Sequence, residues 1–405
     1  MSTPTSLVTA TIIASLVAIG ALSTDMYLPA FPTLAEAFSA DVGEVQGTLS
    51  IYLIGFALSQ LVLGPLSDHF GRKPVLLAGL GLFALSSIAI TFSSSIEMLT
   101  MLRFLQALGG SAGSVLGRAM VRDIYGPLES ARVLSYISTA MALAPAVAPI
   151  LGGYLLLWFG WQASFLFLAV YALLGAGLLH YRIPETAPAS NTSHLSLAKL
   201  NGDFWLLLKH PTWRWYTLIC SFIFAGLFAF LSGSPFVVID YLGYSEQEYG
   251  FLFTFVVAGF MTGTLIGGRT VRSVGVERLI GVGIILAVVG GVVMAALGIG
   301  RVDHIVAIIL PHMCYMVGVG IVMPQTMAAA LAPFPEIAGT SSALLGFFQM
   351  AFAALVGVGV GHFHDGTPVV MTVTIGLMAL LGLFSYLMLQ RQGGRDTHGD
   401  AVASP

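Results

Sequence analysis

Gly64-Pro65-Leu66-Ser67-Asp68-His69-Phe70-Gly71-Arg72-Lys73 is a short polar interruption between two long apolar runs, residues 46–67 and 74–94. Glycine and proline in so short a stretch favour a tight link. Each flanking run has about the 20 residues that a helix needs to cross a bilayer. The stretch is therefore expected to join two antiparallel membrane helices, with Gly64, Pro65 and Gly71 shaping the turn. The pattern continues in both directions. Further apolar runs lie at 7–30, 97–120, 132–157 and 161–181, and then at 213–235, 248–268, 277–299, 304–326, 338–361 and 368–390. Twelve spans follow. Composition agrees, because 57% of the 405 residues are apolar and 9% are charged, against about 25% charged in soluble domains.

Charge sets the expected orientation. With the N-terminus in the cytoplasm, every Lys and Arg except Arg103 and Arg301 falls on the cytoplasmic side, as the positive-inside rule requires. Twelve spans then return the C-terminus to the same side. No Lys or Arg precedes Arg72, so the apolar start lacks the basic region of a cleaved signal peptide and reads as a first span. Gly64 and Gly71 recur 204 residues later as Gly268 and Gly275, and this repeat divides the chain in two. The expected organisation is all-α: twelve transmembrane helices in two pseudo-symmetric six-helix bundles. The first bundle is 1–185, a cytoplasmic linker is 186–212, the second bundle is 213–391, and 392–405 is an unstructured tail. Two such bundles are typical of secondary transporters.

Several function classes are excluded on the same grounds. A net charge of −3 without a basic cluster gives no nucleic-acid surface. Cys220 and Cys314 both sit in apolar runs and provide no disulfide framework. A membrane enzyme would need a catalytic cluster inside the spans, and beside Asp25 and Arg103 no such cluster occurs. His362, His364 and Asp365 have a spacing compatible with a metal, but they lie at an outer turn and read as solvated loop. No metal and no cofactor are expected.

The motifs carry a resemblance. The 64–73 stretch resembles the cytoplasmic loop signature of the major facilitator superfamily. Arg103-Phe104-Leu105-Gln106-Ala107-Leu108-Gly109 is similar to its fourth-helix signature R-x-x-Q-G-x-G, with Ala107 in place of a glycine. Ala148-Pro149-Ile150-Leu151-Gly152-Gly153 resembles the fifth-helix antiporter signature G-P-x-x-G-G, with Ala148 in place of its first glycine. The segments Thr24–Pro32, Arg118–Asp123, Ser234–Val237 and Tyr249-Gly250 resemble the bicyclomycin-resistance and chloramphenicol-exporter (Bcr/CflA) branch of drug:proton antiporters. That resemblance implies proton-coupled efflux of small, largely apolar drugs by alternating access across a bacterial inner membrane. It also implies a monomer whose partners are the drug, protons and the lipid bilayer. An exporter or importer of an endogenous metabolite is the alternative reading. A channel fits less well, because a two-bundle repeat supplies alternating access and not a continuous pore.

Individual residues then acquire expected roles. Asp68 is implied to dock near Ala338, at the start of span eleven, when the cytoplasmic side closes; a carboxylate is stabilised near a helix N-terminus. Arg72 is placed to pair with Asp123. Position 272, the counterpart of Asp68, is arginine, so this latch is expected to be one-sided. Pro149, Gly152 and Gly153 leave a flat face on span five, expected to form a seam with span eight at Gly259, Gly263 and Gly267. Tyr52, Gln106, Tyr136, Phe228, Tyr315 and Gln349 offer rings and hydrogen-bonding groups for a mostly apolar cavity. His312 in span ten reads as a hydrogen-bonded structural histidine. Asp25 and Arg103 are charges at similar depth, and such charges mark function by default. The resemblance places the protonatable acid at Asp25. Arg103 is expected to poise it, either directly or through Gln106 and the backbone of span one.

Overall fold

Two prolines decide where the first span bends. A proline lacks its own N–H, and its ring crowds the carbonyl four residues earlier. Pro29 and Pro32 do this to Asp25 and Leu28. The computed structural model describes the backbone of residues 7–186 and 197–402, with their side chains except at 7, 126–132, 134–142, 197–200 and 393–402. In it α1 (Leu7–Asp25) stops at Asp25, a 3-10 turn covers Leu28–Ala30, and α2 (Phe31–Phe38) completes the span. The run expected at 7–30 is thus two helices reaching Phe38. Asp25 sits at the break.

A capping box opens α3 (Val42–Phe70): Asp41 Oδ1 accepts the Glu44 N–H at 2.8 Å, and Glu44 Oε2 accepts the Asp41 N–H at 2.9 Å. This helix runs on through Gly64 and Pro65, which the sequence had placed in the turn. The turn is Gly71 alone, at φ 96° and ψ 149°. That backbone region is essentially restricted to glycine. The next residue begins α4 (Arg72–Ile90).

Spans four and five are not separate helices. They lie in α5 (Ile96–Phe159), 64 residues long. A straight helix of this length would measure about 96 Å. Yet Gly117 packs against Ile13 and Val17 of α1, while Gly152 packs against Met26 just past the end of α1. Ile13 and Met26 are only about 20 Å apart at helical rise, so α5 must double back between Gly117 and Gly152. Its two limbs take the places of the two expected spans.

The remaining helices are α6 (Gln162–Arg182), α7 (Leu197–Lys209), α8 (Pro211–Pro235), α9 (Glu246–Val274), α10 (Val276–Ile299), α11 (Ile305–Leu331), α12 (Ala338–His362) and α13 (Val369–Val402). A π-helical turn, Phe236–Tyr241, follows α8. Among the described residues ten helical segments are long and apolar enough to cross a membrane, and Leu143–Phe159 in α5 adds a shorter one. Two expectations change. The linker contains α7, and the tail expected to be unstructured from 392 continues α13 to Val402, with no proline in that helix to stop it.

The chain packs as two compact units. The first contains α1 to α6 together with Leu231–Val257 and Gly357–Thr367; the second contains α7 and the remainder. Those two inserted segments belong to the second bundle of the sequence-based division, which follows chain order where packing follows contact. Leu16, Ile19, Phe83, Leu116 and Leu168 are fully buried in the core of the first unit. In the second unit the Tyr315 hydroxyl donates to the Ile223 carbonyl at 2.6 Å, and Trp213 Nε1–H donates to Ser341 Oγ at 2.8 Å. Cys220 and Cys314 are free thiols.

Candidate functional site

The break after α1 builds the centre of the first unit. Asp25 is its last residue, 4% exposed, and its Oδ1 accepts one hydrogen bond from the neighbouring Thr24 hydroxyl at 2.7 Å. Arg103, on the first limb of α5, is fully buried. Asp25 and Arg103 do not form an ion pair. Instead, Arg103 Nη1 donates to Ser23 Oγ at 3.0 Å and to Gln106 Oε1 at 2.5 Å. Its guanidinium carbon lies 4.3 Å from the ring centre of Tyr27 and 4.2 Å from that of Tyr52. Two desolvated aromatic faces stabilise a cation by about 2 kcal/mol or more each. Nε and Nη2 of Arg103 have no hydrogen-bond partner.

A chain of polar contacts fixes this cluster. Gln106 Nε2–H donates to Ser87 Oγ at 2.7 Å, and the Ser87 hydroxyl donates to the Phe83 carbonyl at 2.6 Å. Tyr27, in the break after α1, and Thr48 of α3 share a hydrogen bond at 3.3 Å. Arg103 reaches span one through the Ser23 side chain, where the expectation was a direct route to Asp25 or one through Gln106 and the backbone. Ser23, Thr24, Tyr27 and Ser87 escaped sequence reading. Only Tyr27 and Thr24 stood in a quoted motif, as neighbours of Asp25. Chemically the cluster holds a carboxyl group with one hydrogen bond and a cation held by rings and neutral dipoles.

The expected cavity residues are divided between the two units. Tyr52 and Gln106 belong to this cluster. Phe228, Tyr315 and Gln349 are buried in the second unit, and the side chain of Tyr136 lies outside the described residues. His312 corrects its expectation. It is stacked on Phe230 at 3.8 Å and on Tyr315 at 5.5 Å between ring centres, and neither ring nitrogen has a hydrogen-bond partner. The neighbouring Tyr315 hydroxyl is committed to the Ile223 carbonyl. At the turn after α12, Asp365 Oδ1 accepts from the Thr367 N–H and hydroxyl at 3.0 and 2.6 Å.

Span five packs on two neighbours. Gly152 lies so close to the Met26 carbonyl that a Cβ would overlap it, which places the glycine one residue from Asp25 in contact. Gly153 accepts from Gln247 Nε2–H at 3.1 Å through its carbonyl, and Gly250 packs on Pro149 and Ile150. The partner is span eight, but through Gln247 and Gly250. Gly259, Gly263 and Gly267 pack instead on Met313, Val317 and Ile321 of α11. Their spacing made them look like a seam, but contacts depend on which part of the helix lies beside span five.

At the 64–73 loop Arg72 Nη1 reaches Asp68 Oδ1 and Ser67 Oγ, both at 2.6 Å, and its Nε reaches Asp123 Oδ2 at 3.3 Å.

Comparison with known proteins accords with this architecture. The family description "Major Facilitator Superfamily" matches residues 13–358. A bicyclomycin resistance protein homolog of Haemophilus influenzae is 32% identical over 369 residues, covering 90% of this chain and 92% of that protein. A chloramphenicol resistance protein of Pseudomonas aeruginosa is 30% identical over 396 residues, covering 95% and 91%. The xylose transporter XylE from E. coli shares the fold at a TM-score of 0.75 and 15% identity, covering 96% of this chain and 98% of that one. These are transporters without a cofactor, not enzymes. The long apolar helices, the repeated glycine turn and the match across most of its length together make this chain a multi-pass membrane protein of the Major Facilitator Superfamily, with relatives of the Bcr/CflA type.

Proposed function

We propose that the protein exports small, largely apolar drugs across a bacterial inner membrane in exchange for protons, with both termini in the cytoplasm. The names of its drug-resistance relatives support the substrate class. One observation carries the proton step: Asp25 and Arg103 are both buried in one cluster, yet neither neutralises the other. Burial favours a neutral carboxyl group, and a cation nearby favours the carboxylate. A motion that brings the guanidinium toward Asp25, or takes it away, would therefore change proton occupancy. Asp25 sits where it can respond, since the helix has already broken there and Gly152 touches the next carbonyl. One charge moving through 100 mV supplies about 2.3 kcal/mol, enough for roughly a 50-fold drug gradient. In this reading Asp68 latches the cytoplasmic side and Pro149, Gly152 and Gly153 seal the seam with span eight.

A susceptibility panel in a pump-deleted bacterial host identifies the drug. Asp25→Asn should then insert normally, still bind that drug, and lose proton-driven export. Drug-induced proton release from the purified protein should vanish with it. Export against a gradient at wild-type rate by Asp25→Asn would place proton coupling elsewhere.

A further inference from the structure

The helix that follows the 64–73 loop cannot cap itself. Its N-cap is Gly71, without a side chain, and no acidic residue lies in its first turn. A helix start leaves backbone N–H groups unpaired and favours a negative charge. Glu185, just past the end of α6, supplies both. Its Oε1 accepts the Arg72 N–H at 2.9 Å, and its Oε2 accepts the Lys73 N–H at 3.2 Å. The contact is close enough that a Cβ on Gly71 would meet Glu185 Oε2 at 2.6 Å. Lys73 returns the arrangement: its Nζ donates to the His180 carbonyl at 2.8 Å, in the last turn of α6. Carboxylate on a helix start and ammonium on a helix end are each the favourable sign. The two helices cap one another.

We propose that Glu185 is a positioning residue for the cytoplasmic latch, and that it ties the latch to the linker that begins one residue later. Arg72 is gripped at both ends, its backbone N–H by Glu185 and its guanidinium by Asp68, Ser67 and Asp123. Glu185 therefore sets where Arg72 stands and so how firmly Arg72 holds Asp68. A displacement of Glu185 would be felt at the latch through the Arg72 N–H. The proposal rests on the latch reading of Asp68.

Efflux rates in everted vesicles test it, with the drug found in the susceptibility panel, for wild type, Glu185→Ala, Glu185→Gln, Asp68→Asn and the Glu185→Ala/Asp68→Asn pair. Glu185→Ala should lower the maximal rate about fivefold, the scale of a lost helix cap, with the half-saturating drug concentration within twofold. Glu185→Gln keeps an acceptor and should restore part of the rate. The double variant should be no slower than Asp68→Asn alone, because both changes act through one device. Losses that multiply, or a rate loss that simply tracks a lower melting temperature, would make Glu185 an ordinary cap and overturn the proposal. Export at wild-type rate by Asp68→Asn would overturn the latch reading itself, whatever Glu185→Ala does.

Discussion

The two glycine turns of this protein share a backbone and almost nothing else. Gly71 stands at φ 96° and ψ 149°, and Gly275, its counterpart 204 residues later, at φ 86° and ψ 153°. Each ends one long helix and starts the next. Around Gly71 the chain places Asp68, Arg72 and Lys73; the counterparts are Arg272, Val276 and Glu277. A Cβ at Gly71 would strike Glu185, whereas one at Gly275 would meet nothing within 4 Å. The second turn also has an acid of its own, Glu277, in the first turn of α10, while α4 borrows Glu185 from beyond α6. A turn of this shape asks only for glycine. The charges around it are free to differ, and they differ where the first turn is proposed to work and the second is not.

The comparison breaks most visibly through charge. Asp68→Lys puts a cation against Arg72 and removes the docking acid, so drug export should fall at least tenfold while the protein still reaches the membrane. Arg272→Glu, at the equivalent place, should leave export within about twofold; equal losses in accumulation assays would make the latch two-sided. A smaller effect comes from the glycines. Alanine at either turn incurs about 1–3 kcal/mol of backbone strain, but Gly71→Ala should also expel Glu185 and lose about 1 kcal/mol of capping. Thermal unfolding in detergent should rank Gly71→Ala below Gly275→Ala, and Glu185→Ala should narrow that gap. Equal melting temperatures would deny the cap any energetic weight. The least effect belongs to Glu277→Gln, an exposed acid with no side-chain cap bond at its turn, expected to change stability by no more than about 0.5 kcal/mol.

Much of this was readable before any coordinates. Apolar length suffices to find the membrane-crossing helices, because the bilayer imposes it on the chain directly. Asp25 and Arg103 stood out for the same reason, as charges where charge is costly. The place of the break was also within reach: Pro29 unseats the carbonyl four residues earlier, which is that of Asp25. What could not be read was partnership. Arg103 was expected to answer to Asp25 directly or through Gln106; it does hold Gln106, but it also lies between Tyr27 and Tyr52 with Ser23 on its edge. His312 was expected to be hydrogen-bonded and is stacked. Hydroxyls and rings have many admissible neighbours, and no local pattern says which will be chosen.

Sequence alone thus marks this protein as a helical membrane chain with one acid and one cation inside its apolar runs. Those conclusions rest on properties each segment carries by itself: length, hydropathy, charge and the backbone demands of glycine and proline. Contact between distant segments required the folded chain. Gly152 against Met26, Gln247 on Gly153 and Glu185 on the start of α4 join residues about 90 or more positions apart. Such contacts follow from how helices come to lie side by side, and glycine stripes are compatible with several partners. Gly259, Gly263 and Gly267 show this, since they were expected at the seam and pack on α11, while Gly250 meets span five.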